Sequence, residues 1–208
     1  MNVFERLYKE LKKKYGRPKG QWVLWCKRSK TWREREEVII GAILTQRTNW
    51  NNVELALSNL KKAKIHSFKD IYQLDIKKLA TLIKPSGFYQ AKANYLFHLI
   101  EFILKNYVNL EKMRKVNLEE LKEQLLKLKG IGPETADSIL LYALDKPVFV
   151  IDEYTRRLIK KRDLAKNLSY AFLQKLFEKN LRKDFRLYQD FHALIVIDGK
   201  NKTAKSGS

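Results

Sequence analysis

The chain has 208 residues, of which 45% are hydrophobic and 12% aromatic, so it can bury a substantial core and does not have the composition of a disordered protein. Forty-three lysines and arginines against 23 acidic residues leave a formal net charge of +20. This excess indicates a polyanionic partner, above all nucleic acid. The alternative explanation, the lysine-rich surface of a thermophilic protein, is less favoured because such surfaces usually carry matching glutamates. The single cysteine excludes an internal disulfide and any four-cysteine cluster or zinc site.

No apolar stretch is long enough to span a bilayer, and the chain shows no signal-peptide pattern. We therefore expect an intracellular protein without a membrane partner, in the cytoplasm and associated with the nucleoid.

Nearly every segment has the periodicity of an amphipathic helix, which predicts an all-α protein. In chain order the predicted helices are 3–15, 36–44, 53–63 (beginning near Asn51 or Asn52), 68–74, 76–83, 91–107, 118–128, 134–144, 153–161, 168–181 and 185–197. The stretch 22–32 is aromatic and irregular, and the β-branched run 148–151 is too short to predict a sheet. His98 lies on an apolar helix and is expected in the core.

The most informative motif is the glycine hairpin, formed by Lys129, Gly130, Ile131 and Gly132 and followed by Pro133 at the start of a helix. Glycines permit unusual φ values and close approach of another chain, and proline suits the first helical position. The N–H groups of Ile131 and Gly132 are expected to point outward and to bind an anion such as a backbone phosphate. The alternative is a tight turn between two packed helices.

Four stretches together resemble the helix–hairpin–helix DNA glycosylase superfamily, the endonuclease III-like proteins. They are Ile-Leu-Thr-Gln-Arg-Thr-Asn-Trp at 43–50, Pro-Ser-Gly-Phe-Tyr at 85–89, the hairpin with Glu134, and Val-Ile-Asp-Glu-Tyr at 150–154. Within the superfamily the chain is similar to the cluster-free branch that contains bacterial 3-methyladenine DNA glycosylase III. The resemblance implies a two-lobed all-α fold with the active site in the cleft between the lobes. A helical barrel lobe would span 36–146, the second lobe 1–35 plus 147–200, and a disordered tail 201–208.

The resemblance also implies that Asp152 is the catalytic residue. A carboxylate there would stabilise the positive sugar that forms as the N-glycosidic bond breaks, or would activate water. Its alternative role is an N-cap for the following helix, and both roles are compatible. Glu134 occupies the position of the lysine of bifunctional members, and a glutamate cannot form a Schiff base. A monofunctional enzyme follows, although Lys129 or Lys146 could supply a weak lyase activity; Glu134 could also be only a first-turn acid.

The remaining site residues are implied in the same way. Gln46 and Phe88 lie in turns that would insert into the stack after a base is extruded, as plug and wedge. Gln46 could instead cap a helix or make a loop hydrogen bond, and Phe88 could be a core aromatic. The predicted base pocket contains Trp22, Trp25, Trp50 and His192, each of which could instead fill the core or an interface between lobes.

The expected function is a monofunctional DNA glycosylase for damaged purines, with alkylated adenine first and deaminated purine next. It would act as a monomer on double-stranded DNA that contains a damaged base. No metal or iron–sulfur cluster is expected, and a monovalent cation at the hairpin carbonyls is the one candidate cofactor. Two alternatives stay open: a bifunctional pyrimidine-lesion glycosylase and AP lyase, and a non-catalytic DNA-binding module.

Overall fold

The computed structural model describes the backbone of residues 1–206 and the side chains of residues 1–201. Thirteen α-helices are found in this part of the chain: α1 (Val3–Tyr15), α2 (Trp22–Trp25), α3 (Trp32–Leu44), α4 (Trp50–Lys62), α5 (Phe68–Tyr72), α6 (Ile76–Leu82), α7 (Tyr89–Tyr107), α8 (Leu110–Lys115), α9 (Leu118–Leu126), α10 (Pro133–Ser138), α11 (Glu153–Lys161), α12 (Tyr170–Asn180) and α13 (Phe185–Ser206). A 3-10 turn (Lys84–Ser86) precedes α7, and a π-helical segment (Ile139–Ala143) continues α10. No strand occurs within residues 1–206, which confirms the all-α prediction.

The helices divide into two compact units. The central unit comprises residues 29–144, and the terminal unit combines residues 1–28 with the chain from residue 145 onward. The lobes expected from the sequence were 36–146 and 1–35 with 147–200, so the segment 29–35 groups with the central unit here.

Several helices begin earlier than their apolar periodicity predicts, because polar caps set their first residues. Thr31 and Glu34 form a reciprocal capping box, with Glu34 N–H donating to Thr31 Oγ1 at 3.3 Å and Thr31 N–H donating to Glu34 Oε2 at 2.7 Å. This box starts α3 at Trp32 instead of residue 36. Asn49 caps α4 by accepting from Asn52 N–H at 3.0 Å, so this helix starts at Trp50.

Three expectations are corrected elsewhere in the chain. Helix α8 lies in a stretch for which no helix was predicted, and α13 continues to Ser206 instead of ending at residue 197. The expected disordered tail, 201–208, is therefore helical through Ser206, and residues 207 and 208 lie outside the described residues. The side chain of His98 is 55% exposed and lies 3.7 Å from Glu101 on the same helix, so it is not a core residue.

The core of the central unit is built around α3. Every residue from Val38 to Leu44 is buried, and this end of the helix packs against the fully buried π-helical segment. Arg35, also buried, donates to the carbonyl oxygen of Ala143 in that segment. Close packing on every face restricts the motion of this end of α3, so the loop that follows Leu44 starts from a rigid position.

The core of the terminal unit is aromatic. Phe149 stacks on Phe177 at a centroid distance of 4.2 Å and meets Phe191 edge-on at 5.8 Å. All three rings are completely buried. Because aromatic rings dominate burial energetics and prefer such offset and edge-on geometries, this cluster fixes the chain on both sides of Phe149.

Candidate active site

The segment that leads to Asp152 is extended and buried without belonging to a sheet. Its backbone groups are satisfied by side chains of α12: Phe149 N–H donates to Glu178 Oε1 at 2.8 Å, and Phe149 C=O accepts from Gln174 Nε2 at 2.7 Å. Buried backbone groups must find partners of some kind, and here two polar side chains replace a neighbouring strand. The β-branched run 148–151 is therefore a buried link that delivers Asp152 to the start of α11.

The two carboxylate oxygens of Asp152 have different partners. Oδ1 accepts from both the N–H and the hydroxyl of Thr155, each at 2.8 Å, and so caps α11. Oδ2 lies 3.6 Å from His192 Nε2, and 14% of the Asp152 side chain is exposed. The N-cap alternative is thus correct for one oxygen, while the other oxygen lies outside the cap and faces His192.

The surroundings of Asp152 keep it ionised. Burial by itself would raise the pKa of the carboxyl group, but the nearby His192 and the two hydrogen bonds from Thr155 outweigh burial and lower the pKa of Asp152 below its ordinary value. An ionised carboxylate can stabilise positive charge or accept a proton from water, but it cannot serve as a general acid.

Helix α13 supplies the other side of this site through a close contact with α11. A Cβ at Gly199 would overlap the ring of Tyr154, so the small residue lets the two helices meet at this point. His192 lies on α13 and is 4% exposed. Lys200 follows on the same helix; burial lowers its pKa, although the nearby Asp152 carboxylate partly opposes that change. Lys200 is not among the predicted site residues, because the helix predicted from the sequence ends at residue 197.

Two of the predicted pocket tryptophans lie in the same unit as Asp152. Trp22 and Trp25 meet edge-on at 5.6 Å, and Trp22 meets the His192 ring edge-on at 5.9 Å. They are only 6% and 4% exposed, so most of each indole is packed against protein. Trp22 also borders an open cavity of about 580 Å³ in the terminal unit, whose lining carries four cations: Lys12, Arg17, Lys27 and Arg28.

The two glycines of the hairpin in the central unit differ in backbone conformation and in surroundings. Gly130 has φ +84°, and a Cβ there would overlap the ring of Tyr95. Gly132 has φ −91° and ψ 178°, which any residue adopts, and it is the N-cap of α10. Ile131 N–H donates to Leu128 C=O at 3.1 Å, so the expectation that this group points outward is wrong: it closes the turn. The exposed Gly132 N–H has no partner among the described residues.

An ion pair holds the helices on either side of the hairpin. Lys122 of α9 lies 3.0 Å from Asp137 of α10, and the Asp137 carboxylate is completely buried. Lys129 and Glu134 are both exposed, at the tip of the turn and in the first turn of α10 respectively. Pro133 occupies the first position of α10, as predicted.

The residues expected to act as plug and wedge lie in two loops of the central unit. Gln46 Nε2 donates to Gly130 C=O at 2.9 Å and to Thr135 Oγ1 at 3.0 Å, so its amide makes the loop hydrogen bond that was the alternative. These bonds join its loop to the hairpin. Phe88 is 66% exposed, which excludes the core alternative for this ring. Trp50, partly buried, begins α4 directly after the first loop.

A buried lysine between these two loops was not anticipated. Lys92 is 2% exposed, and its amino group donates to Leu44 C=O at 2.7 Å and to Ser86 C=O at 2.6 Å. Burial lowers the pKa of Lys92 to about 8. The sequence did hold a signal, because Lys92 lies four residues before Leu96 on the apolar stripe of α7, where a charged residue is unusual.

Within the described residues, no three side chains of histidine, cysteine, aspartate or glutamate lie close enough together to hold a metal ion. No described helix is both long and apolar enough to cross a membrane.

Comparison with known proteins gives matches over most of the chain. Residues 40–183 match the family model of the HhH-GPD superfamily base excision DNA repair proteins. A protein of Methanocaldococcus jannaschii, provisionally named a DNA repair glycosylase, is 46% identical over 165 residues, which cover 78% of this chain and 75% of that protein. The endonuclease III of Sulfolobus acidocaldarius is 26% identical over 208 residues, with 99% and 90% of the two chains covered.

Among solved structures, the H. pylori 3-methyladenine DNA glycosylase bound to 1,N6-ethenoadenine is similar over its whole length. The TM-score is 0.80 at 33% identity, with 97% of this chain and 99% of that chain covered. The family match spans well over half of the chain, and the fold agrees with it. The chain therefore belongs to the HhH-GPD superfamily of base excision DNA repair proteins, and it is a DNA N-glycosylase.

Proposed function

We propose that this glycosylase is monofunctional and excises damaged purines, alkylated adenine first and deaminated purine next, by Asp152-assisted hydrolysis. The observation that carries the proposal is the division of the Asp152 carboxylate, whose Oδ1 caps α11 while Oδ2 remains outside the cap. Because capping holds the side chain in place, Oδ2 has a defined position for chemistry at the sugar.

The proposed reaction needs only an ionised carboxylate and water. As the bond between C1′ and the base nitrogen breaks, its electron pair leaves with the base, and positive charge develops over C1′ and O4′ of the sugar. Asp152 Oδ2 stabilises this charge or accepts a proton from the attacking water, whose oxygen forms the new bond to C1′. The lowered pKa of Asp152 supports this role and argues against protonation of the leaving base by the same residue.

This charge state also supports the preference for alkylated adenine. A purine alkylated on a ring nitrogen is already cationic and departs as a neutral base, so its departure needs no general acid. A deaminated purine is neutral and needs protonation as it leaves. The H. pylori relative is named a 3-methyladenine glycosylase, which agrees with this order of substrates.

The hairpin and its flanking loops are the proposed DNA-binding surface of the central unit. The Gly132 N–H and the exposed Lys129 are suited to a backbone phosphate, and the net charge of +20 favours a polyanion as a whole. The exposed Phe88 ring is the proposed wedge, and Gln46, whose loop is bonded to the hairpin, is the proposed plug. The hairpin carbonyls are proposed as the site of a monovalent cation, and no other cofactor is proposed.

The deciding experiment is a panel of duplexes, each with one modified base, scored for free base released. The unaltered protein should release 3-methyladenine faster than hypoxanthine. Asp152→Asn should lower the rate by about 10²–10⁴-fold. Because asparagine caps a helix as well as aspartate does, this variant should fold and bind DNA normally. Glu153→Gln, which alters the adjacent and exposed carboxylate, is the matched control and should leave the rate unchanged.

Borohydride treatment during the reaction separates the monofunctional from the bifunctional alternative, because only a Schiff base is reduced to a covalent protein–DNA adduct. We expect no adduct, since Glu134 stands where bifunctional members carry lysine. An adduct would contradict the monofunctional assignment. Its disappearance in Lys200→Ala, Lys129→Ala or Lys146→Ala would then identify the amine, with Lys200 favoured by its position beside Asp152.

A further inference from the structure

The Lys92 side chain connects the two loops that carry the proposed plug and wedge. Its amino group donates to Leu44 C=O at the end of α3 and to Ser86 C=O in the 3-10 turn before α7. The backbone N–H of Lys92 donates in addition to Phe88 C=O at 3.0 Å. One residue therefore holds three carbonyl groups on two separate loops.

Each carbonyl that accepts from the Lys92 amino group lies two residues before a side chain that is proposed to enter DNA. Leu44 is two residues before Gln46, and Ser86 is two residues before Phe88. Among the described residues the Lys92 amino group is bonded to these two carbonyls and to no carboxylate, and burial lowers its pKa. A buried amine without an acidic partner is costly, so its retention here needs a reason beyond packing.

Backbone strain in both loops supplies that reason. Phe88 has φ +47° and Arg47, next to Gln46, has φ +52°, and both are non-glycine residues in the left-handed region. Such conformations are unfavourable for residues with a side chain and persist only where the surrounding structure enforces them. Lys92 is bonded to Leu44 C=O, three residues before Arg47, and to Phe88 C=O itself, and Gln46 donates to Gly130 C=O in the hairpin.

We propose that Lys92 is a positioning residue that holds the Gln46 and Phe88 loops in the geometry required for insertion into DNA after base extrusion. The inference rests on the proposed function of these two loops. Lys92 does not contact DNA in this role and acts only through Leu44 and Ser86. Its loss should therefore impair insertion while leaving phosphate binding by the hairpin intact.

The test uses the full chain and two duplexes, one undamaged and one with a tetrahydrofuran abasic analogue opposite 2-aminopurine. The fluorescence of 2-aminopurine reports side chains that enter the stack beside the orphan base. Lys92→Met, which keeps the length and removes the donors, should weaken binding to the abasic duplex by roughly ten- to a hundredfold and abolish the fluorescence change. Its affinity for the undamaged duplex should stay within about twofold.

Two further variants separate positioning from general destabilisation. Lys105→Met alters an exposed lysine on the same helix, 65% exposed, and should behave like the unaltered protein. Lys92→Gln keeps an uncharged NH2 donor group on a shorter side chain and should show a smaller loss, so it carries the test if the methionine variant does not fold. On a Phe88→Ala background, Lys92→Met should cause a smaller loss than in the unaltered protein, because only the Gln46 loop then still carries the side chain that Lys92 positions.

Three results would overturn the positioning role. Lys92→Met could weaken binding to both duplexes equally, or its full loss of affinity could multiply with that of Phe88→Ala in the double variant. The third is a fluorescence change that Lys92→Met leaves unaltered. If the unaltered protein caused no change in the fluorescence of 2-aminopurine, the proposed insertion of the two loops would be refuted, and the positioning role of Lys92 with it.

Discussion

The two hairpin glycines, which look equivalent in the sequence, should respond to alanine in opposite directions. At Gly130, alanine must adopt φ +84° and its Cβ must overlap the Tyr95 ring. At Gly132, the backbone is ordinary, with φ −91°, and nothing lies within 4 Å of the added carbon. The contrast isolates what the tertiary structure requires of each position.

The magnitudes follow from these two environments. A left-handed backbone costs alanine about 1–2 kcal/mol, and forcing a methyl group into a packed ring costs about 1–3 kcal/mol more. Gly130→Ala should therefore lower the free energy of unfolding by roughly 2–5 kcal/mol, or the melting temperature by about 5–15 °C for a chain of this size. Gly132→Ala should be neutral or raise stability by up to about 1 kcal/mol, because alanine restricts the unfolded chain.

Urea denaturation of four proteins measures the steric part separately: the unaltered chain, Gly130→Ala, Tyr95→Ala and the double variant. Once the ring is truncated, Gly130→Ala should retain only its backbone cost of about 1–2 kcal/mol, so the two substitutions should be coupled by roughly 1–3 kcal/mol. Equal losses at Gly130 and Gly132, or no coupling to Tyr95, would refute the reasoning.

Four further predictions concern single groups. Tyr188 has a buried hydroxyl with no hydrogen-bond partner among the described residues, so Tyr188→Phe should raise the free energy of unfolding by about 1 kcal/mol in urea denaturation. Tyr15→Phe is the control: it loses a 2.7 Å hydrogen bond to Asp198 and should lower the free energy of unfolding by about the same amount. Folding lowers the pKa of Lys92 from 10.5 to about 8, so between pH 8 and pH 10.5 the unfolded chain binds more protons at this residue than the folded chain does. The free energy of unfolding should therefore rise with pH across this range, and it should rise more in the unaltered protein than in Lys92→Met. Because the pKa of Asp152 is lowered from the ordinary value of 3.8, an acidic limb of the pH–rate profile that comes from its protonation should be centred below pH 3.8, and a limb centred near pH 6 would contradict this. Lys129→Ala should reduce the slope of log Kd against log salt concentration by about 0.9, the value for one phosphate contact, and an unchanged slope would remove Lys129 from the DNA-binding surface.

The sequence alone determined the fold class, which the structure confirms, and it supplied the candidate site residues as predictions. Helical periodicity is a local property, and so is the use of Pro133 at the first position of α10, which the structure confirms. Local signals were also present where a prediction was wrong. The capping box of Thr31 and Glu34 is readable in the sequence, and it outweighed the apolar periodicity from which a start at residue 36 was predicted.

Only the tertiary structure decided what each functional group has around it. The division of the Asp152 oxygens depends on His192, forty residues away in the sequence, and on the contact of α11 with α13 at Gly199. The difference between Gly130 and Gly132 depends on where Tyr95 lies. The place of Lys92 on the apolar stripe of α7 is visible in the sequence, but its two carbonyl partners, from the end of α3 and from the turn before α7, are not. Spacing along one helix or turn is set by backbone geometry, whereas charge state, strain and close approach depend on residues that only folding brings together.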